Sequence, residues 1–376
     1  MNRIINIYKK IILSIEKLLY KQKKPSEFSE KIFFLKVNSI GDYILVRNFI
    51  KEVKNTHKYR NFKITLCGNI IWKNISEELD SNYVDNFIWI DIKKFRRNCI
   101  YRFFKISQIR KEKYEIALNP STSRYFDLDD LIIRAVIANK KIGYDYDLNN
   151  SKEKKLKETD TYYTSRYTVP EKIKFEFQKN KYFFEKTLDK RIDIIKPTLN
   201  IKRYHKFEKI NYFVISLGAQ NDFRIWSPKN YAVLCNLINN IKDKTAILIG
   251  SPNEIGLGEI FEKNCKTKKV INLIGKVDLI HIPKIIKGAS FFIGNESAGT
   301  HIATALDVKT FCISNGNHFG RFNPYPESMQ TKTFYIYPDN IEKDFDKAVI
   351  KYSKKSELDI NSINPDKVFD IIKNNI

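Results

Sequence analysis

Residues Gly294-Asn295-Glu296-Ser297-Ala298-Gly299-Thr300-His301 combine the side chains of an anion site with the spacing of a strand feeding a helix. The stretch follows the apolar run Ser290–Ile293. It opens a segment in which Ile302, Ala303, Ala305 and Leu306 recur at helical spacing, which predicts strand, tight turn and helix. Ser297 and Thr300 place hydroxyls in the first helical turn, while Ala298 and Gly299 leave almost nothing over the backbone. Unpaired first-turn N–H groups and the positive end of the helix dipole then face any ligand above the turn, an arrangement that binds phosphate. Glu296 at the lip repels a bare diphosphate and suits a ligand that also carries hydroxyls, such as a sugar nucleotide. Taken alone, the motif also fits an ordinary βα unit whose small residues only let the helix pack closely.

Three further elements carry the same kind of chemistry. In Val37-Asn38-Ser39-Ile40-Gly41-Asp42, Gly41 permits a tight turn and Asp42 falls at the start of a helix. A carboxylate there either caps the helix, worth about 1 kcal/mol, or takes a proton from an attacking hydroxyl. Asn38, Ser39 and Gly41 would line the same turn. In Ser216-Leu217-Gly218-Ala219-Gln220 and Asp222–Pro228, Gly218 makes the turn, Arg224 offers a two-pronged grip on phosphate, and Trp226 packs beneath the loop. The alternative is a surface arginine beside a core tryptophan. In Val270–Lys276 a strand ends at a glycine turn, with Lys276 either on phosphate or solvated. No Asp-x-Asp motif stands beside the phosphate turn, so helix amides and a cation take the place of a metal, and neither metal nor cofactor is expected.

The positioning elements follow from periodicity. Strands are predicted at Ile32–Val37, Phe62–Cys67, Phe87–Ile90, Ile116–Leu118 and Lys141–Tyr144, and a helix at Asp42–Lys54. The segment Asp145–Val169 loses periodicity and reads as a long loop. After a helix near Phe175–Leu188 the pattern restarts, with strands at Tyr212–Leu217, Thr245–Ile249, Val270–Ile274, Ser290–Ile293 and Thr310–Ser314. Helices are predicted at Lys229–Ile241 behind a Ser227-Pro228 cap, Pro252–Asn264 and Asp278–Lys287. This alternation predicts an α/β fold of two facing Rossmann-like domains, with the ligand crevice at the carboxyl ends of the strands and hence in a cleft between domains. The expected divisions are residues 1–30, a basic amphipathic helix; 31–190, the first domain; 191–210, a linker; 211–345, the second domain; and 346–376, a C-terminal helical segment.

The 376 residues carry a formal net charge of +24, which suggests an anionic partner. A chain rich in Lys, Ile and Asn throughout also arises from an A/T-rich genome. No basic-aromatic RNA motif or zinc-finger spacing is present, so nucleic acid is not expected. Five cysteines without a CxxC pair fit a reducing, cytoplasmic compartment. In Met1–Lys24, apolar residues such as Ile4, Ile5, Ile11, Ile12 and Ile15 recur at helical spacing among lysines, without the apolar core or cleavage site of a signal peptide. Such a helix lies on the inner face of the cytoplasmic membrane, as a peripheral contact, or packs on its own domain.

The four motifs in this order resemble glycosyltransferase family 9, the lipopolysaccharide heptosyltransferases, over roughly residues 31–345. The resemblance implies two domains of the GT-B type. It implies inverting, metal-independent transfer of a heptose or related sugar from a nucleotide sugar, often ADP-heptose, to a lipopolysaccharide core or similar anionic glycan. It places the general base on Asp42, donor phosphate on Arg224 where the family has lysine, and the donor sugar on Glu296 where the family often has aspartate. The diphosphate falls on Ser297, Ala298, Gly299 and Thr300, next to His301, and Ala298 stands where glycine is usual. Two other readings remain open from the residues: a nucleotide-sugar epimerase of the same architecture, and a non-catalytic nucleotide-sugar or membrane-surface binding protein.

Overall fold

The computed structural model describes residues 29–147, 152–241 and 243–376. Met1–Lys24, read above as an amphipathic helix, lies outside the described residues. The chain divides into two compact units, one running to Ile173 and including Gln178–Asp193, the other formed by Lys174–Phe177 and Ile194–Ile376.

The first unit is built on six parallel strands: β1 Lys31–Lys36, β2 Lys63–Asn69, β3 Asn86–Ile90, β4 Lys113–Asn119, β5 Ile137–Tyr144 and β6 Ser165–Tyr167, in the order β3-β2-β1-β4-β5-β6. Central β1 reads as a nearly continuous apolar run because both faces of a parallel sheet are covered. The order reverses between β1 and β4, and a doubly wound sheet opens its ligand crevice at that point. The predicted helix over Asp42–Lys54 is two pieces, α1 Ile40–Ile44 and α2 Asn48–Lys54. α1 is pinned from below. Tyr43 stacks on Trp72 with ring centroids 4.4 Å apart and donates to buried Asp80, whose other oxygen takes Arg47 Nη2 at 2.7 Å.

The segment read as a loop over Asp145–Val169 contains a helix, Glu153–Asp160, and the edge strand β6. Its order comes from a buried polar knot. Arg124, fully enclosed, binds Asp130 at 3.0 Å and Asp160 at 2.6 Å and lies over the Tyr163 ring. Tyr163 in turn donates to Asp130 and accepts from Asn119 at the end of β4.

The second unit repeats the plan with β7 Tyr212–Ser216, β8 Thr245–Ile249, β9 Val270–Asn272, β10 Phe292–Asn295, β11 Thr310–Ile313 and β12 Thr333–Ile336, ordered β12-β11-β10-β7-β8-β9. Its switch point lies between β7 and β10, and α3 Ala298–Ala305 follows β10 directly. Residues 194–210 pack on this unit: Leu199 N donates to Ala305 O, and Lys196 pairs with Asp307. The C-terminal segment joins its core through Ile360, Ile363, Val368 and Ile372, packed with Trp226, Tyr231 and Leu234. Among the described residues no helix is long and apolar enough to cross a membrane.

Candidate active site

In the second unit the predicted residues converge on the carboxyl ends of β7 and β10. Asn295, the last residue of β10, is fully buried, and its amide is saturated. Nδ2 donates to Leu217 O at 2.7 Å and Gly218 O at 3.4 Å, while Oδ1 accepts from Trp226 N at 3.0 Å and Tyr231 Oη at 3.1 Å. One side chain thereby ties the loop after β7 to the end of β10. Trp226 packs under this loop as expected, enclosed, with its indole N–H on Ile363 O.

Arg224 ends a short turn over Asp222–Arg224, and its guanidinium reaches Glu296. Nη2 donates to the Glu296 carbonyl and forms an ion pair with Oε2 at 2.7 Å. Arg224 Nε and Glu296 Oε2 are buried without a hydrogen-bond partner. A buried polar atom without a hydrogen-bond partner costs free energy. Burial pushes the Glu296 carboxyl up to about 7, against the opposing pull of Arg224.

Glu296 sits in the turn before α3, and Ser297 is the extended residue that precedes the helix. Ala298 and Gly299 then present backbone and little else. Gly299 also serves packing: a Cβ there would fall 2.9 Å from the Phe292 ring, so the helix could not approach the sheet so closely. Thr300, expected among the residues that receive the diphosphate, is buried, and its Oγ1 donates to Asn295 O at 2.8 Å. His301 also turns inward, its Nδ1 2.9 Å from Tyr325 Oη. Burial, reinforced by Arg224, lowers its pKa to about 4, so the imidazole is neutral at physiological pH. Lys276 stands at the exposed end of β9, its ammonium on Asn272 O at 3.0 Å.

At Gly218 a Cβ would sit 2.1 Å from Glu254 Oε1, so any side chain there would displace that carboxylate. Glu254, absent from the sequence reading, thus stands against the β7 loop. Burial raises its pKa, and its carboxylate accepts from Ser251 N at 2.9 Å. The signal was present as Ser251-Pro252-Asn253-Glu254, a capping box at a helix start.

In the first unit, Asp42 is half-buried at the switch point. Its Oδ2 accepts from Ser39 Oγ at 2.6 Å and Ser39 N at 3.3 Å, so the carboxylate closes the first turn of α1. Asn38 is held through its carbonyl by Asn69 Nδ2 and Trp72 Nε1 and through its side chain by Ser121 Oγ. Ser121 Oγ is also 3.5 Å from the ammonium of buried Lys36. Gly41 is buried beneath the turn. Asn38, Ser39, Gly41 and Asp42 therefore share one sheet edge, as expected; Lys36 and Ser121 join them without having been foreseen.

Two doubly wound units, each with its polar residues at the switch point, define the GT-B class of α/β protein. The sequence profile of glycosyltransferase family 9 (heptosyltransferase) matches residues 102–346. The chain belongs to that family, and is a glycosyltransferase. Lipopolysaccharide heptosyltransferase 1 of Campylobacter coli is 23% identical over 369 residues, 91% of this chain and 98% of that protein. Lipopolysaccharide heptosyltransferase 3 of Escherichia coli is 26% identical over 121 residues; that match spans 32% of this chain and 35% of the relative's length. The solved structure of E. coli heptosyltransferase WaaC with ADP shares the fold with a TM-score of 0.68 at 14% identity, covering 92% of this chain and 100% of that one.

The Glu296 environment has a measurable consequence. Its folded-state pKa near 7 lies above the ordinary 4.5, so between those values the folded protein holds a proton that the unfolded chain has released. Stability from this group is therefore lost as pH rises through that window. Glu296→Gln is expected to flatten the decline in unfolding free energy between pH 5 and pH 8 by roughly 1–3 kcal/mol. Urea denaturation of both proteins at the two pH values checks this; parallel pH profiles would contradict the buried position of the carboxyl.

Proposed function

We propose that this glycosyltransferase moves a heptose or related sugar from a nucleoside diphosphate donor, ADP-heptose, to a hydroxyl of a lipopolysaccharide core or similar anionic glycan, with inversion and without a metal. The observation that carries the reading is the buried pair Arg224–Glu296 at the β7–β10 switch point. It sets a guanidinium and a carboxylate 2.7 Å apart at the turn that leads into α3. A diphosphate satisfies the first and a sugar hydroxyl the second.

In the proposed reaction the acceptor oxygen attacks the anomeric carbon on the face opposite the diphosphate. The new C–O bond forms as the bond to the diphosphate oxygen breaks, and the electron pair leaves with the nucleoside diphosphate. Arg224 and the amides of Ser297, Ala298, Gly299 and Thr300 stabilise that developing charge. The acceptor proton goes to Asp42, which acts from the first unit as general base. Gly218 admits the donor close to the β7 loop, and Lys276 adds positive potential at the rim. Ser39 fixes the Asp42 carboxylate through two hydrogen bonds to Oδ2, so Oδ1 is assigned to the acceptor. His301, neutral and engaged with Tyr325, shapes the turn beneath the donor and does not exchange protons.

The two departures from the family pattern are read as one change. Arginine in place of lysine and glutamate in place of aspartate give longer partners that reach each other. The enzyme is taken to work at the inner face of the cytoplasmic membrane, with Met1–Lys24 as a peripheral anchor.

Asp42→Asn should lose sugar transfer by about 10²–10⁴-fold while retaining donor affinity, since a positioned base contributes to the chemical step. Paired measurements of turnover and of ADP-sugar binding check this. A rate within a few-fold of the parent would reduce Asp42 to a helix cap. Arg224→Ala should weaken ADP-sugar binding more than Arg224→Lys does, because lysine keeps the charge and loses only the fork. Equal affinities of all three proteins by calorimetry would remove Arg224 from the donor site.

A further inference from the structure

The first unit carries a cationic, apolar-tipped surface that the transfer reaction does not use. It is formed by two consecutive helices after β3, Ile92–Arg97 and Cys99–Ile109, capped by Asp91 and Asn98. Their inner faces are settled: Phe95, Ile106 and Ile109 are fully buried in the core of the unit. On the outer face of the second helix Ile100 and Phe104, four residues apart, are 52% and 66% exposed. Half-buried Phe103 meets Phe104 edge-on at 5.8 Å, so the exposed side chains form one apolar ridge.

Along this stretch of sequence the charge is of one sign. Residues 92–111 contain eight Lys and Arg and no Asp or Glu, whereas the whole chain of 376 residues has 67 and 43. Chance placement would put about two carboxylates in such a stretch, by simple proportion from those counts. The acids at its borders are already occupied. Asp91 caps the first helix through Lys94 N, Glu112 pairs with Lys31, and Asp127 pairs with Arg96.

We propose that this helix pair docks on an anionic lipid bilayer, with Ile100 and Phe104 entering the boundary between headgroups and acyl chains and the exposed Lys93 and Arg97 facing the headgroups. A bare polyanion would satisfy the charge and leave the two apolar side chains in water. A neutral apolar partner would leave an uncompensated cationic field. An anionic bilayer answers both, and a helix lying in the interface binds through the sum of its buried apolar area and its electrostatic attraction. The surface is distinct from Met1–Lys24, and it would orient the first unit toward the membrane independently of that segment.

The test uses the full chain and vesicles of phosphatidylglycerol and phosphatidylcholine that contain no glycolipid, so the outcome is independent of the acceptor and of the transfer reaction. Ile100→Ser/Phe104→Ser, at exposed positions, should fold with an unchanged melting temperature and partition about tenfold more weakly into the anionic vesicles. Lys93→Gln/Arg97→Gln should weaken binding by about fivefold per charge, in a salt-dependent manner. Hydrogen–deuterium exchange of the parent protein should show residues 92–111 protected when anionic vesicles are added, and unprotected with pure phosphatidylcholine. Unchanged partition of the serine variant together with no protection of residues 92–111 would overturn the proposal, whatever the first residues of the chain contribute. A dimer by light scattering that the same serine substitutions dissociate would also overturn it, assigning the ridge to self-association.

Discussion

The second unit depends on one buried amide. Asn295 uses both donor hydrogens and both acceptor lone pairs, which is the full capacity of the side chain. Its partners come from the loop after β7, from Trp226 two residues before the β7-following helix Pro228–Ile241, and from the interior of that helix. At a switch point the two flanking strands have their following segments on opposite sides of the sheet, so nothing in the backbone ladder bridges the gap. Asn295 supplies the bridge. The positions of Gly218, Arg224 and Glu296 relative to one another follow from it, because the first two lie on the loop it holds and the third is its chain neighbour.

What this frame holds is a buried pair of opposite charges. Removing Glu296 and Arg224 from water is costly, and pairing recovers only part of that cost. Two features show the remainder. Glu296 is pushed up to about 7 despite the guanidinium beside it, and one atom of each partner has no hydrogen bond. Nearby, burial keeps His301 neutral, so Arg224 remains the fixed cation at the turn. The first unit uses the same topology for a different purpose. Lys36, Ser121 and Asn38 form a chain of polar contacts, and Ser39, the chain neighbour of Asn38, fixes one oxygen of Asp42.

The fold was legible where periodicity was strong. Central strands such as Thr245–Ile249 agree with the expectation because fully buried parallel strands give continuous apolar runs. Of the four edge strands, β3 and β9 were expected and β6 and β12 were not: the residues of these two are mostly half-buried or exposed, and Ser165–Tyr167 is held in place by a polar knot that no local pattern reveals. The helix predicted over Asp42–Lys54 is broken after Ile44, and the residues there, Leu45 to Arg47, give no breaker signal. In the site, Glu296 and Arg224 were each identified, but not their contact, which joins residues 72 positions apart. The Thr300 hydroxyl turns back to the preceding strand, which helix phase alone does not reveal. Glu254 was overlooked for a similar reason: its capping role is local, while its place against Gly218 is tertiary.

The central claim is that Arg224 and the amino end of α3 receive the diphosphate of a sugar nucleotide. A crystal structure of the protein grown with an ADP-sugar in the presence of EDTA tests it most directly. The account predicts diphosphate oxygens within hydrogen-bond distance of Arg224 and of backbone N–H groups in Ser297–Thr300, with the sugar against Glu296. A diphosphate bound elsewhere in the chain, or an Arg224 still paired with Glu296 and making no contact with the bound nucleotide, would contradict it.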